Sequence, residues 1–450
     1  MKFKLRLPGL FLLLGSLFFC KKAEPIVLQD QHLNYKPYST QASDQSISRQ
    51  DYVNQLYGFW LGQCIANWTG LITEMDKIGG QGLNGKGAGF YTRVNWQGPD
   101  EPNIWGSNVL RDTIDFYFEP EGGIWGADDD TDIEYMYQHL LYTHKTPSLS
   151  PMQIREGWLK HIKAEEENYL WVSNQNAFDL MEEGLEPPAT GQKEHNPGYE
   201  MIDAQLTTEI FGLFAPGRPD IALKMAALPI QTTASGQAQA IAEFYVIMHA
   251  LAAGNEQVSD LKTQVQTMAN EARKHLSDDT YPARMYDYVL KAYQAGLPWE
   301  AVRDSLHEKY QVRQEDGYLW STLDTVCHGC FAAGINFGAS IISLLYGEGD
   351  IRETIKIGAL CGWDSDNPTA TWGGLLGFML GRTGVEKAFG RQFADQFNIH
   401  RTRQNFPREG VDDFQRMAEE GVFIVDRVIQ EQLGGGIDLD NNVWYIPAKQ

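Results

Sequence analysis

Two acidic stretches carry the residue types best suited to chemistry. The first, Asp128-Asp129-Asp130-Thr131-Asp132, leads into Ile133, Met136, Tyr137, Leu140 and Leu141, the i, i+3, i+4, i+7, i+8 spacing of a buried helical face. The second, Gly362-Trp363-Asp364-Ser365-Asp366-Asn367-Pro368, leads into Trp372, Leu375, Leu376, Met379 and Leu380 at the same spacing. An Asn followed by Pro reads as an N-cap with Pro at the first helical position. Asp364 and Asp366 are therefore expected on a short turn just ahead of a well-buried helix, and both acidic clusters at helix N-termini. A single Asp in such a place is explained by capping and by the helix dipole. Three consecutive Asp residues repel one another, so the run is more economically explained by a divalent cation shared with Asp364 and Asp366.

These turns need elements to hold them. A helix is expected from about Asp51, with Gly62, Ala66 and Gly70 recurring every four residues and leaving one side bare for a neighbour to press against. Gly373, Gly374, Gly377 and Gly381 leave similar room on the helix after Asp366. Glu74 follows the first helix; it either reaches a site built from the two acidic turns or is solvated. Elsewhere helical periodicity dominates, as in Ile241, Phe244, Tyr245 and Met248 or Phe337, Ile341, Leu344 and Leu345. Strand patterns are short and scarce, and no repeat or Pro/Gly/Ser-rich linker divides the chain after residue 50. The expectation is an all-α fold, a single large helical domain over residues 51–450.

Before it, Met1-Lys2-Phe3-Lys4-Leu5-Arg6 and an apolar run from Leu10 to Phe19 read as an export signal, because the run is shorter than the ~20 residues a bilayer demands. It resembles a bacterial lipoprotein signal ending at Cys20, the residue that would be lipidated, although Phe19 stands where a small residue is usual. Residues 21–50, rich in Gln, Ser, Asp and Tyr, read as a flexible tether. The localisation expected is the cell envelope, with membrane contact only through a lipid on Cys20. A net charge of −22 argues against nucleic acid or an anionic membrane surface as partner. Five Cys residues do not make a disulfide framework.

Three other motifs are weaker. Gly80 to Gly87 nearly spells a phosphate loop, but Gly87 stands where Ser or Thr is required. It reads as a plain mobile loop, or as one whose N–H groups contact a diphosphate. Cys327-His328-Gly329-Cys330 is half a zinc motif without a second half, so a structural or pocket-lining role is expected, with His328 as a candidate substrate contact. Asp438-Leu439-Asp440-Asn441-Asn442 lacks the Gly and the distal Glu of a calcium loop and reads as a solvated turn.

Taken together, the motifs resemble those of the ADP-ribosylglycohydrolase family. The stretch Gly62 to Glu74 is similar to the family's G-x-x-x-G-D-A-L-G pattern followed by Glu, with Asn67 in place of Asp. Asp128-Asp129-Asp130-Thr131 is similar to its T-D-D-T, with Asp128 in place of Thr, and Gly362-Trp363-Asp364-Ser365-Asp366-Asn367 to its G-W-D-T-D-C-N. The resemblance implies an all-helical fold with two Mg²⁺ ions, or Mn²⁺, in a cleft. It implies metal ligation by Asp129, Asp130, Asp364 and Asp366, with Asp128 and Asn367 at Thr positions. Catalytic roles fall to Glu74, Asp130 and Asp364, and substrate contacts to Asn67, Glu74 and His328. Two functions follow from different classes: a metal-dependent hydrolase of an ADP-ribosyl or related N-/O-glycosidic bond in a small-molecule or protein-linked substrate, and a catalytically silent envelope lipoprotein using the fold as a binding module.

Overall fold

The computed structural model describes residues 28–107, 109–163, 170–254, 260–319 and 327–448. In chain order its α-helices are α1 (Arg49–Gly70), α2 (Asp129–His144), α3 (Pro151–His161), α4 (Val172–Glu182), α5 (Asp203–Leu206), α6 (Ile210–Leu213), α7 (Pro219–Ile230) and α8 (Gly236–Gly254). They continue with α9 (Leu261–Arg273), α10 (Tyr281–Gln294), α11 (Trp299–Leu306), α12 (Ala333–Gly347), α13 (Ile351–Cys361), α14 (Asp366–Phe389) and α15 (Phe414–Glu431). The fold is mostly helical, as expected, with two small three-stranded sheets. Among the described residues no helix is long and apolar enough to cross a membrane.

The centre of the molecule is the pair α1 and α14, each buried along most of its length. Ser48 caps α1, its hydroxyl accepting from the Asp51 N–H. The small residues of the two helices then meet. A Cβ on Gly62 would lie 2.3 Å from the Gly373 carbonyl oxygen, and one on Gly58 2.2 Å from that of Gly377. No side chain larger than hydrogen fits between backbones at that separation, which is why the four-residue glycine spacing was legible as an interface. At the end of α1, Gly70 meets the start of α14, where a Cβ would fall 2.3 Å from Asp366 Cα. The packing thus delivers Asp366 to the C-terminal end of α1.

Helices α12 and α13 back this pair. Ser343 Oγ on α12 donates to the Thr354 carbonyl of α13 (2.8 Å), and Trp372 Nε1 on α14 donates to the Ser340 carbonyl (2.8 Å). The predicted apolar faces Ile241, Phe244, Tyr245, Met248 and Phe337, Ile341, Leu344, Leu345 are buried.

The small sheets fix the other ends. Strands β1 (Gln45–Ser48), β2 (Ile124–Gly126), β3 (Gln396–Asn398), β4 (Val411–Asp413), β5 (Gly436–Asp438) and β6 (Val443–Ile446) form the sheets β1-β6-β5 and β2-β3-β4. In the first, Ile47 pairs with Trp444 and Gln45 with Ile446, antiparallel. Asp438 and Asn441 close the β5–β6 turn, with Asp438 Oδ1 accepting from the Asn441 N–H. In the second, β2 runs parallel to β3, Trp125 opposite Phe397, and hands the chain to the acidic turn ahead of α2.

One expectation changes here. From residue 28 onward, the stretch expected as tether is bound to the domain. Asp30 is buried and paired with Arg427 (2.9 Å), and Tyr35 OH donates to Asp426 Oδ2 (2.7 Å). Asp426 also holds the buried Arg49 (2.7 Å) and Trp444 Nε1 (2.6 Å), so one buried carboxylate ties the N-terminal segment, α1 and β6 together. Cys327 and Cys330 form a disulfide, in line with the structural role expected of that motif, because three residues of separation suffice to bring two thiols together in a tight turn. Cys64 and Cys361 are free and buried. The export signal and Cys20 lie outside the described residues.

Candidate metal centre

The second acidic turn is built by the backbone around Gly362. This residue has φ +92°, and a Cβ there would meet the Lys77 carbonyl oxygen at 2.3 Å, so the position is reserved for glycine. Lys77 O then accepts from the Trp363 N–H (3.2 Å), and Trp363 O accepts from the Met75 N–H (2.9 Å). Ser365 Oγ donates to the Gly70 carbonyl (3.0 Å), and Thr73 Oγ1 donates to Ala359 O. The segment after α1, which carries Glu74, is thereby stitched to the turn that carries Asp364 and Asp366. Helix α14 starts earlier than the Asn-Pro signal predicts. Ser365 is its N-cap and Asp366 its first residue. Pro368 is accommodated inside the first turn, where backbone N–H groups have no helical partner in any case.

The first acidic turn sits at the head of α2, with Asp128 as N-cap and Asp129, Asp130 and Asp132 in the first turn. Thr131 Oγ1 accepts from the Asp128 N–H (3.1 Å). Asp132 points elsewhere, into a buried pair with Arg403 (2.9 Å). The remaining carboxylates converge on the second turn. Oxygens of Asp128, Asp129, Asp130 and Asp366 all lie within 4.8 Å of one another, and so do those of Glu74, Asp364 and Asp366. Asp366 belongs to both groups.

Electrostatics shows what this convergence costs without a counter-charge. Burial, followed by the Asp366 charge, pushes Asp128 up to about 7. Burial and then neighbouring carboxylates push Glu74, Asp129, Asp130 and Asp364 well above the usual carboxylate range. Only oxygen donors are gathered, the set that hard divalent cations prefer, and Asp366 Oδ1 is buried without a hydrogen-bond partner. The residues fit a pair of adjoining cation sites bridged by Asp366.

Of the residues singled out in the sequence, Glu74, Asp128, Asp129, Asp130, Asp364 and Asp366 are brought together. Asn67 is buried beside them, its Nδ2 donating to Asp130 Oδ2 (3.1 Å) and facing Asp128 Oδ2 at 3.5 Å. Asn367 turns its Nδ2 to Asp130 Oδ1 (3.1 Å) and its Oδ1 to Gln205 Nε2 (3.0 Å). His328 is outside both carboxylate groups. It is exposed, and its carbonyl accepts from Gln311 Nε2, while Gln311 Oε1 accepts from Trp363 Nε1 (2.7 Å). The loop around Gly80 to Gly87 is laced by its own backbone: the N–H groups of Gly79, Gly82 and Gly89 bond to loop carbonyls. Those three donors are thereby occupied within the loop.

Sequence reasoning missed several neighbours. Arg401, from the single 3-10 turn after β3, donates to Ala127 O (2.6 Å), lies 3.5 Å from Asp128 Oδ1 and covers the Trp68 ring at 4.9 Å. A cleft of about 190 Å³ beside the centre is lined by Trp68, Glu74, Asp76, Asp100, Asp128 and Arg401 among others. Gln205 on the short α5 was also missed. Neither residue belongs to a periodic or motif pattern, and only the tertiary fold brings them in.

Residues 48–429 match the model of a family described as ADP-ribosylglycohydrolase. Among solved structures, the chain is similar to one described as an "ADP-ribosylglycohydrolase-related protein complex", at 12% identity and a TM-score of 0.48, over 84% of this chain and 98% of that one. No curated protein matches the sequence.

Proposed function

Since the chain belongs to the ADP-ribosylglycohydrolase family, we propose that it is a metal-dependent hydrolase cleaving an ADP-ribosyl or related N-/O-glycosidic bond. The observation that carries this reading is the pair of oxygen-only carboxylate groups sharing Asp366. Asp128, Asp129, Asp130 and Asp366 would hold one divalent ion, Mg²⁺ or Mn²⁺, and Glu74, Asp364 and Asp366 the other. Bound there, the ions supply Lewis acidity toward sugar hydroxyls and water. The protein's own part is positioning and proton transfer. Glu74 and Asp128 line the cleft beside the centre. With divalent ions offsetting the neighbouring charges, Glu74 is kept ionised there, and an ionised carboxylate at that position suits a base that takes the proton of an attacking water as the anomeric carbon becomes oxocarbenium-like. Asp130 and Asp364 orient the reacting groups, Asp130 between the two amides of Asn67 and Asn367.

The test is a hydrolysis screen of ADP-ribosyl-arginine, ADP-ribosyl-serine and simple glycosides, with Mg²⁺ or Mn²⁺ and with chelator. Metal-dependent release of a free sugar from at least one compound is expected. A protein that binds metal and hydrolyses none of them would be a binding module instead.

Export and lipidation of Cys20 complete the proposal. The Cys327–Cys330 bridge supports an oxidising compartment. A reporter fused after residue 50 is expected in the membrane fraction of the envelope, and Cys20→Ser is expected to release it. A reporter that stays in the cytoplasm removes this part of the reading.

A further inference from the structure

Asp130 is gripped at both oxygens by amides, Asn67 Nδ2 on Oδ2 and Asn367 Nδ2 on Oδ1, each at 3.1 Å. Behind Asn367 stands Gln205, 1% exposed, whose Nε2 donates to Asn367 Oδ1 (3.0 Å). The other end of the Gln205 amide, Oε1, is buried with no hydrogen-bond partner. Every donor in this chain points toward Asp130. That polarity suits a bare carboxylate, whose charge the N–H groups offset.

A cation bound at Asp130 reverses the demand. An N–H end facing the ion is repelled, while an amide oxygen is a good ligand for a hard cation. Asn367 can present its oxygen by turning its amide over, but its NH₂ then faces Gln205 and needs an acceptor where Gln205 now offers a donor. Gln205 carries that acceptor in Oε1, and a half-turn of its own amide brings it round. Among neutral side chains of this length, only one with a donor and an acceptor on the same planar group serves both states.

We infer that Gln205 is a positioning residue that allows Asn367 to change from a donor to Asp130 into a ligand of the divalent ion. The inference rests on the reading of the carboxylate cluster as a metal centre. Mn²⁺ titration calorimetry on the full chain tests it, comparing the wild type, Gln205→Met, Asn367→Asp and the double variant. Gln205→Met keeps the length and loses the hydrogen bonds, and is expected to weaken Mn²⁺ binding about 10-fold, the usual scale for groups that orient a ligand. In the Asn367→Asp background both ends of residue 367 are oxygen and no turning is needed, so adding Gln205→Met is expected to leave Mn²⁺ affinity unchanged. An equal weakening in both backgrounds, the mark of a merely structural role, overturns the inference. So does unchanged affinity in Gln205→Met itself. Should Gln205→Met not fold, Gln205→Leu provides the same comparison. A wild-type protein that binds no Mn²⁺ overturns the metal centre together with this inference, whereas wild-type binding with an indifferent Gln205→Met overturns the role of Gln205 alone.

Discussion

Asp366→Ala is expected to abolish hydrolysis while leaving the fold in place, the largest loss of activity among single changes at the centre. Each of the other carboxylates belongs to one group, whereas Asp366 belongs to both, so its removal takes a ligand from two sites at once. Loss of one preorganised charge-stabilising group lowers turnover by roughly 10²–10³-fold, and loss of a shared one should exceed that. The fold should tolerate the change because Asp366 contributes charge rather than packing. The start of α14 is held by Ser365 on Gly70, by Thr369 Oγ1 on the Ser365 carbonyl and by the buried Trp372. Leu376→Ala is the contrasting case: the side chain is fully buried, and its loss leaves a cavity worth about 2–5 kcal/mol. Far-UV circular dichroism and thermal unfolding, read beside activity, separate the two. An Asp366→Ala protein with undiminished turnover would remove the metal-centred mechanism.

The parts of this site that were legible in the sequence are those where one local pattern has one physical meaning. Gly62, Ala66 and Gly70 at four-residue spacing mark a face pressed by another backbone, and the partner proved to be α14, itself marked by Gly373 and Gly377. The two Asp clusters were readable because like charges in a row need a counter-charge. What pattern does not encode is which way a side chain turns. Asp132 stands in the same acidic run as Asp130, yet it leaves the site for Arg403, over 270 positions away. Asn367 read as a helix cap and as a ligand, and it stands in the first turn of α14 with its NH₂ toward Asp130. Arg401 and Gln205 were invisible because a lone Arg in a 3-10 turn and a lone Gln on a one-turn helix carry no signal until distant elements meet. Residues 21–50 read as tether by composition; from residue 28 the segment is anchored by buried pairs with distant residues, Asp30 with Arg427 and Tyr35 with Asp426, which composition cannot reveal.

The second large effect is on stability, and its sign reverses with metal. In the metal-free protein the clustered carboxyls have folded pKa values above their unfolded ones, near 4. A carboxyl that binds its proton more tightly when folded stabilises the fold while protonated. That contribution is fully present below the unfolded value and is lost as pH rises through the folded one, about 7 for Asp128. With chelator present, the melting temperature should therefore fall between about pH 5 and pH 8. Asp76, Glu209 and Glu420, raised to about 9, 7 and 7 by burial first of all, slope the same way whether or not metal is bound. They therefore cancel when the chelated and loaded proteins are compared. Divalent ions act in the opposite sense, because they bind only the ionised carboxylates and replace repulsion by attraction. At a free ion concentration 100 times Kd the gain is about 2.7 kcal/mol, or roughly 3 °C for a chain of this size. The shift produced by Mg²⁺ or Mn²⁺ should thus be small at pH 5, where protons occupy the cluster, and grow toward pH 8. Asp366→Ala should flatten both curves, raising the chelated melting temperature by relieving repulsion and removing most of the response to metal. A metal-induced shift of the same size at pH 5 and pH 8, or one that survives in Asp366→Ala, would show that the ions bind elsewhere.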